Sequence, residues 1–181
     1  MNLRDMSAYI PQFLKIRTKS GALAPLRPKP AQQMLLDIIR RERAAGRPPR
    51  ILILKARQLG LSTITEGVMF HDSVTGKLVQ TLIVAHRDDS TTKLFRMNKL
   101  FYDCLPRKLQ PMCKHSNAKE LVFENPTRNP DEKRKRPGLM SSIRCVTAND
   151  GMGRSETLNN VHLSEFAFWK GNKNEILDGV M

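Results

Sequence analysis

The chain has 181 residues, of which 40% are hydrophobic and 27% charged, enough to bury the core of one domain. Lys and Arg number 31 against 17 Asp and Glu, a formal net charge of +14 that favours a polyanionic partner. No apolar run reaches the roughly 18 residues of a membrane-spanning helix, MNLRDMSAYIPQF lacks a secretory apolar region, and three cysteines (Cys104, Cys113, Cys145) form neither a metal spacing nor a disulfide framework.

Pro11, Gly21, Pro25, Pro28 and Pro30 punctuate the first 30 residues, which read as an arm with one short helix near Tyr9–Arg17. In AQQMLLDIIRRERAAG, Met34, Leu35, Ile38 and Ile39 recur at helical spacing and Gly46 ends the pattern. Ile51–Leu54 reads as a buried parallel strand. A loop, KARQLGLS, leads to a helix from about Thr63 to Ser73. Leu78–Ala85 is a second apolar strand, and Asp89 or Ser90 could cap the helix carrying Leu94, Met97 and Phe101. Pro106–Ser116 is loop-like, Glu120–Glu124 alternates as a strand, NPTRNPDEKRKRPG is a basic insertion, and Leu139–Thr147 is a further strand. After the loop NDGMGRSETLNN, VHLSEFAFW begins as a strand. Strands alternating with helices predict an α/β fold with a mainly parallel sheet flanked by helices.

The positive charge is concentrated. Residues 1–57 carry 13 basic and 3 acidic side chains, and residues 128–144 carry 6 and 2, while residues 145–181 are net negative. Nucleic acid is the polyanion such a distribution suits, because phosphate neutralisation releases counterions. With 6% aromatic residues and no base-reading motif, contacts to the DNA backbone are expected. The basic insertion is either a solvated loop or a DNA-contacting one.

The strongest chemical signal is ILILKARQLGLST, residues 51–63. A strand, a tight turn with Gly60 and a Ser-Thr pair opening a helix is the context of a P-loop, in which helix N-terminal amides face phosphate. Ser62 is placed to offer its hydroxyl to Mg²⁺. Lys55 stands at the first glycine of that motif and Leu61 at its lysine, so Arg57 is the cation whose planar fork would reach the phosphates. An ordinary basic strand-to-helix turn fits the same residues. About a hundred residues downstream, Val161–Glu165 is an apolar strand ending in an acid, at the strand edge where open α/β sheets bind ligands. Glu165 is there suited to orient an attacking water. Ser164 replaces the metal-anchoring Asp expected before it and could act through a metal-bound water.

LKARQLGLST and VHLSEFAFW, at this separation, resemble the ATPase domain of the large terminase subunit of tailed phages, the motor that packages DNA into procapsids. The resemblance covers roughly residues 26–170 and implies a P-loop NTPase fold over 26–181 with 1–25 as an N-terminal arm. It implies ATP and Mg²⁺ as cofactors, with Lys55, Arg57, Gln58, Gly60, Leu61, Ser62 and Thr63 around the phosphates. Ser62, and Ser164 through water, would serve the metal, and Glu165, Arg57 and Arg154 form the catalytic set. Gln32, in a Q-x-x-apolar-apolar setting, matches an adenine-recognising glutamine, and Arg154 matches an arginine that completes a neighbouring subunit's site. Double-stranded DNA, a small terminase subunit, a portal protein and a ring of like subunits are the implied partners, in the host cytoplasm and without a membrane. The family continues with a coupling motif and a nuclease domain. This chain ends sixteen residues after Glu165, so the fold is expected to be incomplete at its C-terminus and without nuclease activity.

Two alternatives remain at this level. Another P-loop DNA translocase or helicase would usually carry the phosphate-binding lysine and a paired acid, which Leu61 and Ser164 replace. A non-catalytic DNA-binding or assembly remnant of a prophage terminase would keep the fold without turnover.

Overall fold

The computed structural model describes residues 2–56, 58–117, 119–148, 157–170 and 173. Helix α1 (Met6–Phe13) is capped by Asp5, whose carboxylate accepts from the Ser7 N–H, and is followed by a hairpin of β1 (Lys15–Arg17) and β2 (Leu23–Pro25). Residues 1–25, expected as an arm with one short helix near Tyr9–Arg17, carry that helix earlier, at Met6–Phe13, and a hairpin after it. Tyr9, Ile10 and Leu14 are buried in the main core, so the punctuated segment is held by packing rather than left in solvent.

Helix α2 spans Pro30–Ala44, with proline in its first turn, where its missing N–H costs nothing. It ends where the periodicity predicts. Gly46 takes φ +70, its N–H reaches the Arg43 carbonyl, and the Arg47 N–H reaches that of Glu42. This pair of bonds satisfies carbonyls that the helix leaves open, and the left-handed residue between them favours glycine.

Ile51–Leu54 departs from expectation. No strand among the described residues pairs with it, Leu52 is 95% exposed and Leu54 fully so. The aliphatic run has strand propensity, but burial requires a neighbour on each side, and none is supplied here.

Helix α3 (Leu61–Thr75) follows the loop, then β3 (Gln80–Ala85) and α4 (Asp88–Cys104). Neither Asp89 nor Ser90 caps α4. Arg87 holds the cap position, and Asp88 and Asp89 lie inside the first turn, where their charge complements the helix dipole. Next come the two-residue β4 (His115–Ser116), β5 (Glu120–Glu124), α5 (Pro130–Lys135), β6 (Gly138–Thr147) and β7 (Asn160–Leu163). The basic insertion therefore contains a helix. Asn129 caps it, and two of its cations are engaged, Lys133 with Glu124 and Arg134 with Asp131.

The main sheet has the order β4-β5-β6-β3-β7. The expected parallel arrangement holds in part: β3 runs parallel to β6 and β7, while β4, β5 and β6 pair antiparallel. The antiparallel edge arises because β5 and β6 are joined by the short α5 connection instead of a crossover. The chain is α/β, with a parallel centre and helices α3 and α4 on one face.

Strand β3 is buried on both faces, as a continuous apolar run should be. Ile83 and Ala85 join the core with α3 and α4, where Ile64, Phe70 and Phe101 also lie. Leu82 and Val84 point to the opposite face, against Trp169. Tryptophan thus closes the far face of the sheet, and its Nε1 donates to the Ser164 carbonyl at 3.0 Å. Among the described residues no helix is long and apolar enough to cross a membrane.

Candidate nucleotide site

The loop reaches α3 through Gly60, which takes φ +68 and ψ +19 at the N-cap. A side chain there is doubly disfavoured. The backbone is left-handed, and a Cβ would stand 2.6 Å from Gln32 Nε2. No side chain caps α3. The first-turn amides of Leu61, Ser62 and Thr63 therefore lack carbonyl partners within the helix, and among the described residues no side chain caps them. Ser62 and Thr63 are half-buried and Leu61 is buried, which anchors the helix start while the polar pair stays accessible.

Gln32 lies against this loop. It is 4% exposed; its Oε1 accepts from the Lys29 N–H at 2.9 Å, and its Nε2 donates to the Gly60 carbonyl at 2.7 Å. One amide thus joins the start of α2 to the turn before α3. The glutamine is where a nucleotide-binding residue would be expected, and it acts as a strut.

Glu165 follows β7 at its C-terminal end. Its backbone is left-handed, φ +54 and ψ +40, a conformation costing about 1 kcal/mol for a residue with a Cβ. Contacts on both sides hold it there. The Ser164 N–H donates to the Val84 carbonyl at 2.8 Å, the Phe168 N–H donates to the Glu165 carbonyl at 2.9 Å, and Trp169 is packed beneath the sheet. Ser164 is buried. The Glu165 carboxylate is half-exposed, and its Oε2 lies 2.8 Å from His86 Nδ1, off the line of a formal hydrogen bond.

The loop and Glu165 share an edge of the sheet, as two contacts establish. Glu66 on α3 meets His162 on β7, Oε1 to Nδ1, at 2.6 Å. Seven residues further along α3, Ser73 bonds Thr81 at 2.9 Å. The register sets His162 beside Ile83, two residues after Thr81. Advancing along the helix by about 10 Å therefore means retreating along the strands by about 7 Å, so α3 runs antiparallel to them. Its N-terminus then lies over their C-terminal ends. Ser62 is one turn before Glu66, about 6 Å, and Glu165 is three residues after His162, at most about 10 Å in the same direction.

This edge combines unpartnered amides, a hydroxyl and a carboxylate. Such a set can bind a polyanion at the helix end, offer hard oxygen ligands to a divalent cation and orient a water. Among the described residues no three His, Cys, Asp or Glu side chains converge to hold a metal by themselves. The donor set therefore fits a cation shared with a phosphate rather than one caged by protein. Nearby, the Thr147 hydroxyl and then Lys119 hold the Asp88 carboxyl below its usual range, keeping negative charge at the start of α4. Burial pushes the Cys145 thiol up, which makes it a core residue without reactivity.

The structure thus brings Gln32, Gly60, Leu61, Ser62, Thr63, Ser164 and Glu165 to one end of the molecule. Gln58 precedes the loop's glycine with φ +68, and Lys55 is exposed on the unpaired segment. Arg57 and Arg154 lie outside the described residues. Sequence reasoning missed His86, Glu66 and His162. The detectable signal was an acid, Glu66, on the apolar face of α3 between Ile64 and Val68.

No protein-family model matches the sequence, and no curated protein matches it. A solved structure does: the large terminase of the HK97 bacteriophage superposes with a TM-score of 0.73 at 15% identity, over 99% of this chain and 34% of that one. The fold is therefore terminase-like, and the chain spans about a third of the length of the terminase it matches.

Proposed function

We propose that this chain is an ATP-binding, Mg²⁺-dependent ATPase module of a phage DNA-packaging terminase. The observation that carries the reading is the shared edge: the uncapped N-terminus of α3 and the carboxylate of Glu165 face the same end of the parallel strands.

In this reading the amides of Leu61, Ser62 and Thr63 hold the phosphates, with Arg57 and Lys55 adding charge and Gln58 and Gly60 shaping the turn. The Ser62 hydroxyl would help to hold Mg²⁺, and Ser164 would serve it through water. The metal supplies Lewis-acid stabilisation of phosphate charge when bound. Glu165 orients water for attack, and Arg154 reaches a neighbouring subunit's site in a ring. Gln32 supports the loop, and adenine recognition by the same amide requires it to release Lys29 or Gly60 or to use its second N–H. The basic segments hold duplex DNA by its backbone, a small terminase subunit and a portal protein complete the assembly, and the work is done in the host cytoplasm.

The unpaired, exposed Ile51–Leu54 favours a second reading. A phosphate loop needs a firm strand behind it, so a non-catalytic DNA-binding remnant would tolerate this geometry better than an enzyme. Turnover of Mg·ATP, with and without duplex DNA, separates the two. The enzyme reading expects DNA-stimulated hydrolysis that Glu165→Gln abolishes while nucleotide binding persists. The remnant reading expects DNA binding with no turnover in either protein.

A further inference from the structure

We propose that His86 is a positioning residue for Glu165, pinning one carboxylate oxygen so that the other is presented at the sheet edge; this rests on the reading that Glu165 orients the attacking water. The first support is register. Val84 pairs with Leu163 at the last position of the parallel β3–β7 ladder, the Ser164 N–H still donates to the Val84 carbonyl, and His86 and Glu165 each stand two residues beyond that pair. Both residues therefore leave paired neighbouring strands at the same edge, His86 directly after β3 and Glu165 two residues after β7.

The second support is the asymmetry of the pair. His86 is only 16% exposed, with its ring 6.0 Å from that of Phe168, whereas the Glu165 side chain is 46% exposed. Histidine is the fixed partner and glutamate the adjustable one. A glutamate has three rotatable bonds, so an unrestrained carboxylate seldom points one way. His86 Nδ1 is buried and has no formed hydrogen bond among the described residues, and Glu165 Oε2 stands beside it at 2.8 Å, off line. A small rotation of the glutamate completes that hydrogen bond, which a buried nitrogen favours. Glu165 Oε1 has no partner among the described residues and is the oxygen left to accept from water. The neighbouring acid does not compete: Asp88 is engaged by Thr147 and Lys119.

Correct orientation is worth much in such a step, and misplacement by about 1 Å can cost two orders of magnitude. The test measures kcat and, separately, nucleotide affinity on the full chain. His86→Ala is expected to lower kcat by about 10- to 100-fold with ATP affinity changed less than about twofold. His86→Asn, whose amide nitrogen stands near the place of Nδ1, should recover most of the rate. Independently of turnover, the His86 ring nitrogen resonances should move in Glu165→Gln. If Glu165→Gln abolishes turnover while His86→Ala leaves kcat intact, the role of His86 is overturned and that of Glu165 stands. Equal loss in the Ala and Asn variants, together with a lowered melting temperature, would assign His86 to packing and overturn the proposal, as would unmoved ring resonances. Unimpaired turnover by Glu165→Gln would instead overturn the reading beneath it.

Discussion

Glu66 and His162 meet at 2.6 Å between α3 and β7, and this contact fixes the height of α3 over the sheet. Glu66 is wholly buried and also accepts from Asn98 on α4, so one carboxylate ties three elements together. Removing it leaves the buried Asn98 amide with only the Leu94 carbonyl and takes from the part-buried His162 its carboxylate partner. Glu66→Ala is expected to destabilise the fold by about 3 kcal/mol, and Glu66→Gln by clearly less, because the amide retains an acceptor. Urea denaturation of both variants checks the ranking.

Gln32 and Gly60 give a second prediction, because the strut and the base reader behave differently. If the amide holds the loop, Gln32→Ala weakens ATP and GTP binding alike, by about tenfold, the worth of one well-placed hydrogen bond near a charged ligand. If the amide reads adenine, only ATP suffers. Competition titrations with the two nucleotides decide, and equal weakening is the expected result.

Much of the fold is legible in the sequence. The apolar run of β3 and the helix α2 with its Gly46 stop lie close to where periodicity puts them. Other elements depended on contacts that sequence does not encode locally. Ile51–Leu54 has a strand's composition, but neighbouring strands decide whether it is buried. Proline and glycine in the first 30 residues mark turns correctly, yet they conceal that Tyr9, Ile10 and Leu14 close the core. The antiparallel pairing of β5 with β6 could not follow from alternation of elements alone. At the candidate site, Ser62, Gly60 and Glu165 carry motif signals. His86 carries none, since its meaning arises from the β3–β7 register.

Asp72 predicts a pH dependence of stability. Burial pushes its carboxyl up, but the His71 ring and the Arg43 guanidinium outweigh that and hold it below its usual value of 3.8. Arg43 binds both carboxylate oxygens, at 3.0 and 2.6 Å, linking α2 to α3. A carboxyl lowered in the folded state stabilises the fold above its unfolded pKa, and that contribution disappears as pH falls through the lowered value. Asp72→Asn should therefore cost about 1 kcal/mol at neutral pH and progressively less below pH 3.8. Denaturation curves of parent and variant at pH 7 and pH 3 test this.

DNA binding by the basic surface is expected to be governed by phosphate neutralisation. Affinity for duplex DNA should drop by about three orders of magnitude between 50 and 200 mM salt if some six phosphates are contacted. Because Lys133 and Arg134 are paired within the chain, neutralising Lys135 and Arg136 should flatten the salt slope more. Fluorescence anisotropy across a salt series measures both.

The central claim is that the uncapped start of α3 cradles a triphosphate. Calorimetric titration of the folded chain with Mg·ATP tests it most directly. Saturable binding that requires Mg²⁺ and is lost on Gly60→Val is the expected result. A chain that melts cooperatively yet takes up no nucleotide at millimolar concentration would contradict it.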